Sequence, residues 1–248
     1  MARFRFKVEY DGTNYSGWQV QDNAPTVQGE IEKVLLDFYG GNLIRIQGSG
    51  RTDAGVHGIG QVAHFDFDTT IPPKSFENAI NAKTPKDIYV YDFEIVPSDF
   101  HCRFDAYRRT YIYKISTIYS PIMRNYQWFV KSGIDFNKLQ QCAEIILGEH
   151  NFGAFCKKSD VSQSKVCFIY NSIWKKDGNI LTYTIAGTRF FHSMVRMLVG
   201  TMTEVAREKR SVEKFRQILE NNKIDETRYT APANGLYLAK VEYKSDKK

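Results

Sequence analysis

The amino-acid sequence predicts an α+β chain. Segments of apolar/polar alternation, the mark of half-buried strands, recur along its length. Fewer segments carry apolar residues at helical spacing. The strands fall into two rounds with a few helices among them, so strand and helix do not rotate in the strict order of a parallel α/β sheet.

Arg3 to Tyr10 opens the first round, with Phe4, Phe6, Val8 and Tyr10 on one face and Arg3, Arg5, Lys7 and Glu9 on the other. Asp11-Gly12-Thr13-Asn14 ends it with turn residues. Tyr15 to Gln19 reads as a loop. Pro25 and Thr26 start a helix whose Val27, Ile31, Val34, Leu35 and Phe38 share one face, and Gly40-Gly41 stops it. Leu43 to Ile46 reads as a strand, and Gln61 to Phe67, with Ala63, Phe65 and Phe67 on one side, as another. Phe76, Ala79 and Ile80 indicate a short helix behind Pro72-Pro73, and Tyr89 to Val96 a further strand.

The second round begins at Ala106 to Lys114, a strand with Tyr111 and Tyr113 on one face. The boundary between two domains, 1–105 and 106–248, is expected here. No Pro/Gly/Ser linker marks it, so the halves are expected to share a continuous sheet. Asp135 caps a helix carrying Leu139, Cys142, Ala143 and Ile146, closed by Gly148. Val166 to Trp174 and Leu181 to Ala186 read as paired strands turned by Asp177-Gly178-Asn179. Phe190 to Val205 reads as a helix with Phe191, Met194, Val195, Leu198 and Met202 inward. Ser211 caps a last helix, and a strand closes the chain.

Between the Leu43 and Gln61 strands runs GSGRTDAGVHGIG, with five glycines from Gly48 to Gly60. Such a run makes a poor helix or strand interior, because each glycine there loses backbone entropy. It reads as a loop that turns at positive φ or brings its backbone close to something. In its middle, Arg51 and Asp53 set a cation and a carboxylate two residues apart. Loops hung between strands often carry catalytic residues, and turn-forming Asp and Gly also make plain connectors. The run lacks the third glycine of G-x-G-x-x-G and no G-K-S/T follows, so it matches no known phosphate-loop pattern.

At 248 residues and 42% hydrophobic content the chain has material for one large core or two smaller ones. No segment approaches the roughly 20 apolar residues of a membrane span, and MARFRFKVEY lacks the apolar centre of a signal peptide, so a cytoplasmic protein without membrane contact is expected. The net charge of +6, with 15 Tyr and 17 Phe among the basic residues, favours RNA as a polyanionic partner. The four cysteines form no C-x-x-C pair and the five histidines are scattered, so neither a metal site nor a redox pair is expected.

GRTDAGVH followed by GQVAHF closely resembles the signature of the TruA-type tRNA pseudouridine synthases. Further motifs follow in family order. Asp11 to Gln19 is similar to D-G-x-x-F/Y-x-G-W/F-Q, Phe100 to Phe104 to F-H-A-R-F, and Arg109 to Tyr113 to K/R-T-Y-x-Y. Gly148 to Phe155 is similar to G-x-H-D-F…F, Phe190 to Arg196 to F-L-x-x-M-V-R, and Thr230 to Leu238 to T-A-P-x-x-G-L-x-L. Asn151 replaces the motif aspartate, Lys165 stands where arginine is common, Met197 replaces asparagine, and Thr227-Arg228-Tyr229 replaces small residues. The resemblance covers nearly the whole chain. It implies two related halves, each an antiparallel sheet with helices on one face, the sheets joined around a central basic cleft. It also implies a homodimer that binds the anticodon arm of tRNA, on its 3′ side.

In that family the motif aspartate, here Asp53, is catalytic, and the chemistry accounts for a single carboxylate. Isomerising uridine breaks the N1–C1′ bond and remakes it from C5, with nothing oxidised or hydrolysed, so no cofactor is called for. Asp53 can attack uracil C6, attack C1′, or assist loss of uracil to a glycal, and the residues do not choose among these. A desolvated carboxylate stays ionised only beside a cation. The resemblance gives that role to Arg196. Arg51 is the other candidate, or equally a phosphate contact or a wedge for a flipped base. Tyr111 matches the family's active-site tyrosine, Tyr113 being the better core residue, and Leu236 is a candidate pocket wall. Arg3, Arg5, Lys157, Lys158, Lys175 and Lys176 are candidate phosphate contacts or solvated charges. A non-catalytic RNA-binding module would need no Asp53, and a glycoside hydrolase would want paired carboxylates.

Overall fold

The computed structural model describes residues 1–38, 43–131, 133–157, 164–221 and 229–247. The chain divides into two compact units, Met1–Tyr107 with Leu238–Lys248, and Arg108–Tyr237. Both are α+β, as the alternation of patterns predicts.

In the first unit, β1 (Ala2–Tyr10) lies between β3 (His57–Phe67) and β4 (Ile88–Val96), antiparallel to both. The short β2 (Gln47–Gly48) and the closing β10 (Leu236–Tyr243) also pair with β3. Phe4, Phe6, Val8 and Tyr10 are buried, as their alternation requires, and pack with Ile31 and Leu35 of α1 (Val27–Phe38) and Phe76 and Ile80 of α2 (Pro73–Asn81). Phe4 lies opposite Phe65 in the ladder, their rings 5.6 Å apart, and Phe6 stacks on Phe93 at 4.6 Å. The opposite face of β1 is ionic. Arg3 is bound by both oxygens of Asp66, Arg5 by Glu94 and Asp246, and Lys7 by Asp92.

Two local expectations fail here. Leu43 to Ile46 is not a strand: the Ile46 N–H donates to buried Glu32 Oε1 at 3.0 Å instead of to a ladder, and Leu43 is exposed. And β3 starts at His57, so Gly58 and Gly60 lie inside a strand. They are there for close approach. A Cβ on Gly58 would stand 2.3 Å from the Tyr10 ring, and one on Gly60 2.7 Å from the Ala239 carbonyl oxygen.

In the second unit the strand order is β5 (Ala106–Ser116), β9 (Ile180–Gly187), β8 (Val166–Asp177), β7 (Gly148–Asn151), antiparallel throughout, with β6 (Trp128–Phe129) parallel to β5. Three helices, α3 (Phe136–Ile145), α4 (Met194–Ala206) and α5 (Val212–Asn221), bury Leu139, Cys142, Leu198, Met202, Phe215 and Ile218. Asp135 caps α3 as expected, accepting from Asn137 N and Lys138 N. The helix expected from Phe190 starts only at Met194, because Ser193 sits at φ 60°, a left-handed conformation that helical propagation cannot pass through.

Candidate active site

The segment that carries Asp53 is held residue by residue. On its N-terminal side, Ser49 N donates to Val62 O at 2.8 Å, Ser49 Oγ to buried Gln61 Oε1 at 2.7 Å, and Gln61 Nε2 to Gly50 O at 2.8 Å. On the other side the Tyr10–Trp18 segment forms a cradle. Trp18 N donates to Thr52 O and Tyr15 O accepts from Gly55 N, both at 3.2 Å, while the Tyr10 hydroxyl and Thr52 Oγ1 are 2.8 Å apart. Val56 N closes a turn onto Asp53 O at 3.2 Å, with Gly55 at φ +75° as the left-handed residue.

The cradle needs glycines. A Cβ on Gly12 would lie 2.0 Å from Val56 O, one on Gly17 2.3 Å from Thr52 O, and one on Gly48 2.3 Å from Trp18 Nε1. Buried His57 accepts from Gly12 N through Nδ1 at 3.1 Å, with Asp11 Oδ1 also 3.1 Å from that nitrogen. Thr52 and Val56 are thus buried, Asp53 between them is half-buried, and Arg51 is exposed. The motif similarity of residues 11–19 is visible in the sequence. That this segment grips the Asp53 loop is not, because the contact joins residues some forty positions apart.

In the second unit Arg196 and Tyr113 converge on residues 231–235. Arg196, on the first turn of α4, donates through Nε to Ala231 O at 2.8 Å, and Ala231 N donates back to Arg196 O at 3.0 Å. Tyr113 is fully buried and donates its hydroxyl to Pro232 O at 2.8 Å. Burial drives its phenol well above the ordinary tyrosine range, against the opposing influence of Arg196. A Cβ on Gly235 would lie 2.7 Å from that ring, and Leu236, also buried, begins β10. Tyr111, 8% exposed, shares the face of β5 and meets Phe190 edge-on at 5.0 Å.

Arg3 and Arg5 lie in the ion pairs of the first unit's open face, and the Arg5 guanidinium is further enclosed by the rings of Phe100 and Tyr243, each 5.3 Å away. Lys157, Lys175 and Lys176 are exposed. Lys158 lies outside the described residues, as do Thr227 and Arg228. Among the described residues no group of three His, Cys, Asp or Glu could hold a metal ion, and no helix is long and apolar enough to cross a membrane. The four cysteines are buried free thiols, and burial pushes Cys142 and Cys167 up to about 12.

A family model described as tRNA pseudouridine synthase matches residues 7–105 and 142–244, a span that includes the Asp53 loop, Arg196 and Leu236. The tRNA pseudouridine synthase A of Latilactobacillus sakei is 37% identical over 246 residues, 98% of this chain and 99% of the relative. The tRNA pseudouridine synthase A 2 of Clostridium tetani is 40% identical over 248 residues, 98% of this chain and the whole of the relative. The corresponding protein of Halalkalibacterium halodurans is 39% identical over 238 residues, 95% of this chain and 90% of the relative. Identity at this level, end to end, means that the chain belongs to the tRNA pseudouridine synthase A family, a family of isomerases.

Proposed function

We propose that this chain isomerises uridine to pseudouridine on the 3′ side of the anticodon arm of tRNA, with Asp53 as the catalytic carboxylate. One observation carries the assignment. Asp53 lies in a loop whose neighbours are hydrogen-bonded on both sides and whose cradle depends on Gly12, Gly17 and Gly48, none of which admits a Cβ. A turn aspartate that merely connects strands needs no such frame, whereas a nucleophile must be held in one geometry.

In the reaction the N1–C1′ bond breaks, uracil turns, and C5 bonds to C1′. The C5 proton leaves and N1 ends protonated, so atoms and electrons balance without an oxidant or a group carrier. Asp53 acts on uracil or on the sugar, Tyr111 stacks on the extracted base, and Arg196 keeps the carboxylate ionised. Leu236 walls the pocket. Arg51 and Lys157 contact phosphates. The active form is a homodimer in which one tRNA touches both subunits, and sedimentation of a 28.7 kDa monomer at micromolar concentration would reject that part of the reading.

The test is tritium release from tRNA labelled at uracil C5, in single turnover, beside a filter-binding titration. Folded Asp53→Asn is expected to release tritium only at background while binding tRNA within a few-fold of wild type, because phosphate contacts carry most of the affinity. Near wild-type release by folded Asp53→Asn would return this loop to a connector. Binding by the wild-type chain with no release at all would favour an RNA-binding protein without catalysis.

A further inference from the structure

The turn between β4 and β5 is rigid and yet ends in an exposed phenyl ring. Asp105 N donates to His101 O at 3.0 Å and His101 N donates back to Asp105 Oδ2 at 2.7 Å. Arg103 N donates to His101 Nδ1 at 3.2 Å. Buried Cys102 bolts the turn down: its N–H reaches His64 Nδ1 at 3.4 Å, its thiol Gln47 O at 3.1 Å, and its carbonyl accepts from Tyr243 at 2.6 Å. Arg3 Nη1 donates to Phe100 O at 2.7 Å. On this frame Phe104 is 75% exposed. Its ring lies 4.3 Å from the His101 imidazole, tilted by 38°, and the Arg103 guanidinium stands 5.9 Å from its centroid.

We propose that Phe104, backed by His101 and flanked by Arg103, is a stacking platform for an unpaired base of the RNA substrate. The proposal rests on the tRNA reading above. A turn tied at this many points holds its tip ring in water rather than letting it fold inward, so packing does not account for the ring's position. An exposed ring beside a guanidinium is the combination that single-stranded RNA engages: every base offers a π-face, and the cation meets the adjoining phosphate. Because His101 Nδ1 accepts the Arg103 N–H, the neutral imidazole carries its proton on Nε2, where it can donate to the same nucleotide. The location fits the substrate. Cys102 binds the carbonyl of Gln47 in β2, and β2 runs directly into the segment carrying Asp53. A base held on Phe104 is thereby registered to the strand that feeds that loop.

The experiment measures binding of an unmodified tRNA transcript to chains that also carry Asp53→Asn, so that no turnover intervenes. Phe104→Ala is expected to raise Kd by about 5- to 100-fold, the range for losing one base–aromatic stack, with the log–log salt slope unchanged because no charge is removed. Phe104→Trp is expected to restore the affinity, and both variants to melt with the parent. Tight binding by the parent together with a Phe104→Ala Kd within twofold of it would overturn the platform alone. A change of sedimentation on Phe104→Ala with unchanged tRNA affinity would overturn it too and make the ring a subunit contact. Failure of the wild-type chain to bind tRNA would end both this proposal and the tRNA reading beneath it.

Discussion

Gly17 and Thr52 stand closer than any residue with a side chain would allow at position 17: a Cβ there would fall 2.3 Å from the Thr52 carbonyl oxygen, and Gly17 sits at φ +97°. Thr52 immediately precedes Asp53, so the cradle loop sets the backbone from which the carboxylate projects. Gly17→Ala therefore meets both a backbone clash and a left-handed φ. We expect a loss of at least about 2 kcal/mol of stability. We also expect kcat for tritium release to fall well below what the remaining folded fraction explains, with tRNA affinity within about twofold. Wild-type kcat in the folded variant would separate the cradle from the chemistry.

Most of the fold was legible because burial follows period. The Phe4, Phe6, Val8, Tyr10 alternation and the Val27, Ile31, Val34, Leu35 stripe end in the core as written. The failures are places where a local signal met a long-range partner. Ile46 reads as strand but donates its N–H to Glu32, and Gly58 reads as loop but makes room for Tyr10 inside β3. The site was legible mainly as motifs. The geometry adds what holds them: Gly12 and Gly17 against the Asp53 loop, and Ala231 and Pro232 against Arg196 and Tyr113. These pairs are distant in sequence, and no local pattern announces them.

His64 makes stability pH-dependent. Burial, then His101 and Arg3, lower it from 6.5 to about 4, while Asp66 and Asp105 act weakly the other way. The folded protein keeps this imidazole neutral as an acceptor for Cys102 N–H. The unfolded chain takes up the proton near pH 6.5, so stability is fully present above that pH and declines as pH falls toward 4. The loss amounts to on the order of 3 kcal/mol. Urea unfolding at pH 7 and pH 5 should differ by about 2 kcal/mol of this, and the difference should shrink in His64→Gln. An unchanged pH dependence in that variant would reject His64 as its source.

Arg5 is placed to hold the first unit together. Its guanidinium joins Glu94 of β4 to Asp246 of the C-terminal segment and packs against the adjoining rings of Phe100 and Tyr243. Arg5→Gln should lower stability by roughly 2 kcal/mol, since it strips charged hydrogen bonds from two carboxylates. It should leave the salt slope of tRNA binding unchanged. A slope smaller by about 0.7–0.9 would instead count Arg5 as a phosphate contact.

Arg196 is oriented by its own backbone partner. Nε donates to Ala231 O while Ala231 N returns a bond to Arg196 O, so the fork of the guanidinium has a set direction. Lysine keeps the charge and loses that direction. If Arg196 supports the chemistry at Asp53, Arg196→Lys should reduce kcat by at least about tenfold while leaving tRNA affinity within about twofold. A purely structural role would lower the melting temperature without lowering kcat of the folded fraction.

Tyr111 and Tyr113 offer the sharpest comparison, because they share one strand face two residues apart and differ in what they touch. Tyr113 is fully buried, its hydroxyl donates to Pro232 O, and its ring fills the space that Gly235 leaves. Tyr113→Phe removes one buried hydrogen bond and should cost about 1 kcal/mol of stability, with little change in turnover once the melting temperature is respected. Tyr111 retains some exposure, and its ring meets Phe190 edge-on at 5.0 Å. If its ring stacks on the extracted uracil and its hydroxyl helps to move the C5 proton, Tyr111→Phe should keep tRNA affinity and melting temperature while slowing product formation by about 10²-fold or more. Opposite signatures are therefore expected: stability without rate for Tyr113, rate without stability for Tyr111. Single-turnover tritium release and thermal melts on the two variants side by side decide it. If both variants lose stability and neither loses rate, Tyr111 is a second core residue and the proton transfer belongs to another group.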